Sequence, residues 1–166
     1  MASDMPRLDL LTAFNFSVEI TVTDEEPVCG VAFAECDGLE LSQEVKTIRE
    51  GGNNGVHVRL AGPVTYGTLT LKRGMTTSTF DLWDWFEKVS TDPSLRAKAE
   101  VVVYARPGCV GERVRFALTG CRPLKLKAPP LNAKDGMIAV EELQVAYESL
   151  TLKRPEPPSP SGGSGA

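Results

Sequence analysis

Residues 14–22 read FNFSVEITV, with apolar side chains at the even positions and polar ones between them. This period of two predicts an extended strand with one face on a core and the other on water or a polar partner. Further strands are predicted where β-branched, aromatic and leucine residues lie between turn signals such as Asp37-Gly38 and Pro107-Gly108. These strands cover 31–36, 39–48, 64–72, 100–106, 113–119 and two stretches within 137–152.

The last of these regions changes phase. Its apolar residues stand at odd positions from 143 to 147 and at even positions at 150 and 152. A one-residue slip of this kind turns side chains to the other face of a sheet, so we expect a β-bulge near Ser149.

One helix is predicted after residue 79. Its apolar stripe has the spacing i, i+3, i+4, i+7 and consists of Leu82, Trp85, Phe86 and Val89. Ser78 or Thr79 can cap it, and Asp81 supplies an acid for the first turn. Phe80 and Trp83 lie off the stripe, which suits either an interface or additional burial.

The whole pattern predicts a mainly β fold, an antiparallel β-sandwich or small barrel of about seven or eight strands with one flanking helix. We expect this domain to span residues 1–154. Residues 155–166 read PEPPSPSGGSGA and form a Pro/Ser/Gly-rich C-terminal tail that cannot contribute to a core.

Charge is distributed unevenly along the chain. The net charge of -4 argues against affinity for nucleic-acid phosphates. Residues 1–50 carry 11 Asp or Glu against 3 Lys or Arg, whereas residues 101–154 carry 5 against 9. Two interpretations stay open: strand faces solvated by unlike charges, or a head-to-tail contact between acidic and basic surfaces of two copies. The chain shows no membrane-spanning run and no secretory leader, so we expect no membrane anchor and synthesis in the cytoplasm.

Chemistry-bearing residues are sparse. The four cysteines, at 29, 36, 109 and 121, lack the close pairing of a zinc site and are expected to be reduced and packed as apolar residues. His57 is the single histidine and lies in no nucleophile motif. Adjacent acids such as Glu141-Glu142 point to opposite faces of a strand, which favours solvated charge. We therefore predict no catalytic residue, no cofactor and no metal.

The most unusual segment is 49–63, which reads REGGNNGVHVRLAGP and is predicted to be a long loop between two strands. Loops of this length in a compact β domain are usually functional or interaction elements. Its glycines allow close backbone approach, while Arg49, Glu50 and Arg59 can form charged hydrogen bonds.

An ordered set of short motifs resembles the tail tube proteins of contractile phage tails and related contractile injection systems. The resemblance covers roughly residues 14–152. Its motifs are FSVEI at 16–20, FAECDGL at 33–39, EV at 44–45, REGGN at 49–53, LAGP at 60–63, YG at 66–67, LTLKRG at 69–74 and LWDW at 82–85.

The resemblance implies a structural subunit and not an enzyme. Members of the family form hexameric rings whose strands join into a continuous barrel, and the rings stack into a hollow tube that a contractile sheath drives into a target. The implied partners are further copies of the chain, sheath subunits, baseplate or tube-initiator proteins, terminator proteins and a payload in the lumen. The implied location is a phage tail or an injection-system particle.

The resemblance also implies an inter-subunit loop at 49–53, a return strand flanked by Gly62 and Gly67, and a helix beside the sheets at 82–85. The predicted inter-subunit residues are Arg49, Glu50, Gly51, Gly52, Asn53, Arg59, Gly62, Tyr66 and Trp83.

Two alternatives are kept. The segments 24–29 and 107–111 and the C-terminal tail go beyond the matched motifs, which leaves open a paralogue that starts the tube at the baseplate. From a different class, a monomeric lipocalin-like barrel that binds a small molecule would require an apolar interior cavity.

Overall fold

The computed structural model describes residue 11 and residues 13–22, 27–29, 32–49, 57–76, 80–104, 112–134 and 136–154. Ten strands and one helix are defined within these residues. In chain order they are β1 (Phe16–Val22), β2 (Pro27–Cys29), β3 (Glu35–Asp37), β4 (Leu41–Arg49), β5 (His57–Tyr66), β6 (Thr68–Gly74), α1 (Asp81–Thr91), β7 (Ala97–Tyr104), β8 (Glu112–Lys127), β9 (Val140–Ala146) and β10 (Ser149–Lys153). The C-terminal tail at 155–166 lies outside the described residues.

Eight strands form the body of the molecule. They are antiparallel and follow the order β2-β1-β7-β8-β9-β6-β3, with β10 also paired to β8. The 16-residue strand β8 joins the two parts, because its first half pairs with β7 and β10 and its second half with β9. The remaining strands, β4 and β5, form a separate two-stranded sheet. The predicted mainly β, antiparallel architecture with one helix is confirmed.

The alternation at the start of the chain fulfils its prediction. Val18, Ile20 and Val22 of β1 are buried, while Glu19 between them is exposed. Phe14 precedes the strand and is exposed. The buried residues belong to one apolar cluster, which also contains Leu69, Leu71, Leu82, Trp85, Val101, Leu118, Leu143 and Val145.

A β-bulge was predicted near Ser149. In the structure the strand is fully interrupted there, between β9 and β10. Opposite it, β8 bends at Gly120, whose φ of 65° lies in the left-handed region. A Cβ at this position would come within 2.5 Å of a carboxylate oxygen of Glu148. The amide of Glu148 donates to the carbonyl of Thr119 over 2.9 Å. The bend at Gly120 and the gap between β9 and β10 therefore form one irregularity. At this point the strand pairing passes from one part of the body to the other.

Strand boundaries differ from the prediction at several places. β8 runs from Glu112 to Lys127 where a strand at 113–119 was predicted, and β3 covers Glu35–Asp37 where 31–36 was predicted. β2 was not expected, and the single strand predicted at 64–72 is two strands, β5 and β6. The predicted loop at 49–63 was wrong over 57–63, which belongs to β5. This part of β5 was not predicted from the sequence because it contains Gly62 and Pro63. Proline is tolerated where a strand has an unpaired edge, and β5 pairs only with β4 among the described strands.

The predicted helix is present and packs as expected. Leu82, Trp85 and Val89 are buried, and Phe86 is half-buried. Phe80 occupies the N-cap position without a side-chain hydrogen bond, and the predicted caps Ser78 and Thr79 lie outside the described residues. The backbone amide of Leu82 instead donates to the carboxylate of Asp81 over 2.9 Å.

A buried ion network fastens the helix to the body. Arg73 of β6 lies opposite Glu141 of β9, and its Nε donates to Glu141 Oε1 over 2.5 Å. The guanidinium also binds both carboxylate oxygens of Asp81, at 3.1 and 2.5 Å. Arg73 and Glu141 are each 1% exposed. The expectation that Glu141-Glu142 is solvated charge is therefore wrong for Glu141, whose side chain faces inward because alternate strand residues point to opposite faces.

Replacing Glu141 by Gln is expected to lower the free energy of unfolding by about 3 kcal/mol, because the buried Arg73 loses a charged partner. Glu142→Gln is the matched control, since the neighbouring side chain lies on the other face and is partly exposed. Urea denaturation of both variants measures the difference. Equal losses in the two variants would contradict the structural role of the network.

Candidate assembly interface

β4 and β5 form a two-stranded arm outside the body. Every side chain at 41–48 and 59–66 is exposed, apart from half-buried Gly62. Among the described strands, β4 and β5 pair only with each other. An isolated pair of strands is marginally stable in water at best. The arm is therefore a pair of strands whose side chains have no core of their own to pack against.

Apolar residues lie on both faces of the arm. The register pairs Leu41 with Tyr66 and Gln43 with Val64, and Val45 lies on the same face. We call Leu41, Val45, Val64 and Tyr66 the proximal patch, because they lie near the body. The opposite face carries Ile48 and Leu60 further along the arm, which we call the distal patch. All six side chains are between 37% and 58% exposed. Covering them requires a surface on each side of the arm.

A β-bulge lies within the proximal patch and separates Val45 from the other three residues of the patch. The register shifts between Gln43 and Val45, where Gly62 and Pro63 lie opposite the single residue Glu44. A Cβ on Gly62 would approach the carbonyl oxygen of Glu44 to 2.8 Å, and Gln43 Nε2 donates to the carbonyl of Gly62 over 3.0 Å. Gly62 is thus needed for a close approach inside the arm. The bulge changes the local twist between the base of the arm and its outer part, which carries Val45 and the distal patch.

The base of the arm is clamped to the body by Tyr147. Its buried hydroxyl accepts a hydrogen bond from the amide of Glu40 at 3.0 Å. The same hydroxyl lies 2.8 Å from the carbonyl oxygen of Gly38 and 2.9 Å from that of Glu40, to either of which it can donate. Its ring contacts that of Tyr66 at 5.8 Å between centroids. One side chain of the body therefore contacts β5 and the residues that lead into β4.

Two glycines make this clamp possible. Gly38 has a φ of 89°, and a Cβ there would meet the carbonyl oxygen of Thr68 at 1.9 Å. A Cβ on Gly67 would lie 3.0 Å from the carbonyl oxygen of Gly38. The amide of Gly67 donates to the carbonyl of Glu40 over 2.9 Å. The strand pair β3–β6 continues into the arm only because both positions lack side chains.

The structure brings four of the predicted interface residues into the arm. Arg59, Gly62 and Tyr66 lie in β5, and Arg49 ends β4 opposite His57. Residues 50–53 lie outside the described residues. Trp83 lies apart, on α1, where it is 41% exposed and its Nε1 donates to Glu141 Oε2 over 3.2 Å. It is anchored to the buried ion network.

Sequence reasoning missed the apolar residues of the arm and the clamp. Val45, Ile48 and Val64 lay in predicted strands, and a strand pattern does not reveal whether its apolar side reaches a core; Leu60 lay in the predicted loop. The contact between Tyr147 and Glu40 spans 107 positions in the chain. A continuous run of exposed side chains on both strands becomes visible only in three dimensions.

No feature of the described residues indicates catalysis. They contain no group of three His, Cys, Asp or Glu side chains that could hold a metal ion. Burial raises the pKa of Cys36 to about 11, with Asp37 adding to the shift, and burial raises the pKa of Cys121 to about 12. Both are free thiols that stay protonated at neutral pH, as expected for packed cysteines. Cys109 and the side chains of Cys29 and His57 lie outside the described residues.

The described part of the chain contains no helix long and apolar enough to span a bilayer.

Tyr147→Phe is expected to accelerate hydrogen exchange at the amide of Glu40 by about tenfold or more. The amide loses its acceptor while the ring stays packed, and an unsatisfied group of this kind costs about 1–3 kcal/mol. Tyr104→Phe is the control, because its hydroxyl bonds Ser17 Oγ at 3.1 Å in the body. Unchanged exchange at Glu40 in the Tyr147 variant would show that the hydroxyl does not hold the arm.

Comparison with known proteins places the fold. The family model for the T4-like virus tail tube protein gp19 matches residues 12–151. A chain in the sheath-tube complex of the extracellular contractile injection system PVC, in its extended state, is 18% identical with a TM-score of 0.76, covering 93% of this chain and 98% of that one. No curated protein sequence matches the chain significantly.

Two solved structures of the anti-feeding prophage (AFP) show the same fold. A chain in its tube terminating cap is 19% identical with a TM-score of 0.77, covering 93% of this chain and 97% of that chain. A chain in its baseplate is 24% identical with a TM-score of 0.74, covering 87% and 96% respectively. Because the family model spans the arm, the helix and almost the whole body, the chain belongs to the T4-like virus tail tube protein gp19 family.

Proposed function

We propose that this chain is the structural subunit of the inner tube of a contractile phage tail or injection system. In this proposal, copies form hexameric rings that stack into a hollow conduit, and the subunit catalyses no reaction. The observation that carries the proposal is the arm, whose two faces both expose apolar residues and whose base is nevertheless fixed to the body. A pre-oriented strand pair without a core is suited to packing on other copies.

The proximal patch is assigned to the neighbour within a ring. It lies next to the body, so a neighbour that covers it also approaches the body edge to edge. Burying one side chain such as Val45 or Val64 contributes about 2 kcal/mol. Unpaired strand edges beside the patch can then pair across the interface, as in strand addition between chains.

Polar interface residues are proposed for the far end of the arm. Arg49, Glu50 and Arg59, with the glycine-rich residues 51–53, would form charged and backbone hydrogen bonds with a neighbouring copy. Tyr66 takes part through the proximal patch and Gly62 through the shape of the bulge. Trp83 is exposed on α1 and would contribute a separate contact.

Further partners follow from the proteins that share the fold. The similar chains come from a sheath-tube complex, a tube terminating cap and a baseplate. We propose sheath subunits around the tube, baseplate or initiator proteins at one end, a terminator at the other, and a payload inside. Synthesis in the cytoplasm and assembly into the particle are part of the same proposal.

The monomeric lipocalin-like alternative is not favoured. The interior of the described body is filled by one cluster of packed side chains, among them Trp85, Leu71 and Leu143. A tube initiator shares the fold of a tube subunit, and no observation on the described residues favours it over the shaft subunit.

Val45→Asp is expected to abolish ring formation while leaving the body folded, because it places a charge within the proximal patch at its most exposed residue. Size-exclusion chromatography with light scattering and negative-stain electron microscopy would show monomers. Val45→Ile is the matched control, since it keeps an apolar β-branched side chain and is expected to assemble normally. Normal rings from Val45→Asp would contradict the assignment of this patch.

A further inference from the structure

A second exposed apolar surface lies in the connection between β8 and β9. Its large apolar side chains are Leu131, Met137 and Ile138, which are 91%, 84% and 83% exposed. They line a cleft of about 450 Å³ between residues 129–132 and 137–140. Apolar side chains this exposed around one concavity exceed the scattered apolar residues of an ordinary surface. The cleft is therefore a candidate docking site.

Both walls of the cleft are held in place without an occupant. On one side, the amide of Met75 donates to the carbonyl of Ala139 over 2.8 Å. On the other side, Pro129 is buried, and the side chain of Asn132 accepts a hydrogen bond from the amide of Lys134 over 3.0 Å. A cleft formed in advance loses little conformational entropy when a segment binds.

The surroundings of the cleft are basic. Residues 125–138 carry three lysines against one aspartate, and all three lysines are exposed. This charge disfavours the distal patch of the arm as the occupant, because Lys46 lies opposite Leu60 and Arg59 next to it. An apolar segment that carries acidic residues is the better match.

One segment of the chain has this chemistry. Among the stretches outside the described residues, residues 1–10 alone contain Leu, Ile, Met or an aromatic side chain. Residues 4–11 read DMPRLDLL, with four large apolar residues, two acids and one base. The segment is therefore apolar, and its net charge is opposite to that of the cleft.

The body leaves the end of this segment uncovered. Leu11 and Phe14 are 42% and 68% exposed, whereas Phe16, at the start of β1, is already half-buried against the core. Apolar side chains before Phe16 thus gain little from the core of their own chain. Burial on another surface would remove this exposed area from water.

The lengths of the elements favour the cleft of a second copy. Phe16 pairs with Val103, which pairs with Val114 near the start of β8, and the cleft follows Lys127 at the end of that strand. At about 3.3 Å per residue, the strand from Val114 to Lys127 is roughly 43 Å long. By the same measure, residues 8–14 span at most about 20 Å.

We propose that the cleft at 129–140 receives residues 5–11 of a second copy. In an extended segment Leu8 and Leu10 point to one side, into the cleft, and Asp9 to the other, toward Lys134. A segment given by one copy and a cleft filled by another make a heterologous contact, which repeats from copy to copy. The inference rests on the proposed tube function and adds a contact that does not involve the arm.

A photo-crosslinker in the cleft identifies the occupant. Full-length Met137→p-benzoylphenylalanine is assembled from equal amounts of isotopically light and heavy chains, irradiated, and analysed by mass spectrometry. Crosslinks to residues 5–14 in pairs of unlike isotope are expected. Lys98→p-benzoylphenylalanine, on the exposed face of β7, is the control and should not reach that segment. Crosslinks from the cleft to the arm, to residues 155–166 or only within one chain would overturn the proposal.

Leu10→Asp is expected to raise the protein concentration needed for assembly about tenfold or more, because each contact loses the burial of one leucine. Leu10→Met is the matched control and is expected to assemble normally. Mass photometry over a dilution series measures the threshold, and circular dichroism confirms that the variants are folded. An unchanged threshold in Leu10→Asp would contradict the contact.

Charge reversal tests the register. Asp9→Lys and Lys134→Glu each bring like charges together and are expected to raise the assembly threshold about threefold. The double variant restores a pair of opposite charges and should return to within about twofold of the unmodified protein. No recovery in the double variant would overturn the pairing of these two residues.

These outcomes are distinct from a failure of the proposed function. Tubes of normal length and unchanged threshold from Leu10→Asp would refute the contact while the tube function stands. Failure of the unmodified protein to form rings or tubes would instead contradict the proposed function.

Discussion

A pair of strands that extends beyond a packed sheet keeps its backbone hydrogen bonds, but its side chains have no core to pack against. The arm of this protein is such a pair, and its exposed apolar faces can be covered only from outside. What makes the arm a fixed structural element is the contact of the Tyr147 hydroxyl with Gly38 and Glu40. Because the arm is oriented before a partner arrives, less conformational entropy is lost on assembly.

The clamp works because the body behind it is well packed. Tyr147 lies between β9 and β10, where the chain crosses from one part of the body to the other opposite the bend at Gly120. At the far end of β9, Glu141 binds Arg73 and thereby connects β6 to α1. The arm therefore extends from a paired and buried frame, β6 and β9.

Much of the fold follows from local patterns. The alternation at 14–22 predicted β1 because every second side chain reaches a core, and the spacing of Leu82, Trp85 and Val89 predicted α1 for the corresponding reason. The segment 57–63 was taken for a loop because glycine and proline are rare in strands with two neighbours. Glu141 was taken for a solvated charge because its partner Arg73 lies 68 positions away.

The sequence by itself determined the class of the fold, the position of the helix, the absence of a recognisable catalytic motif and, through its ordered motifs, the resemblance to tail tube proteins. These depend on residues close together in the chain, where periodicity and turn chemistry act. The tertiary structure decided which apolar strand residues are left without a core and how the arm is anchored. Those properties depend on contacts between distant segments, and a period of two is the same whether its apolar face meets the protein interior or another molecule.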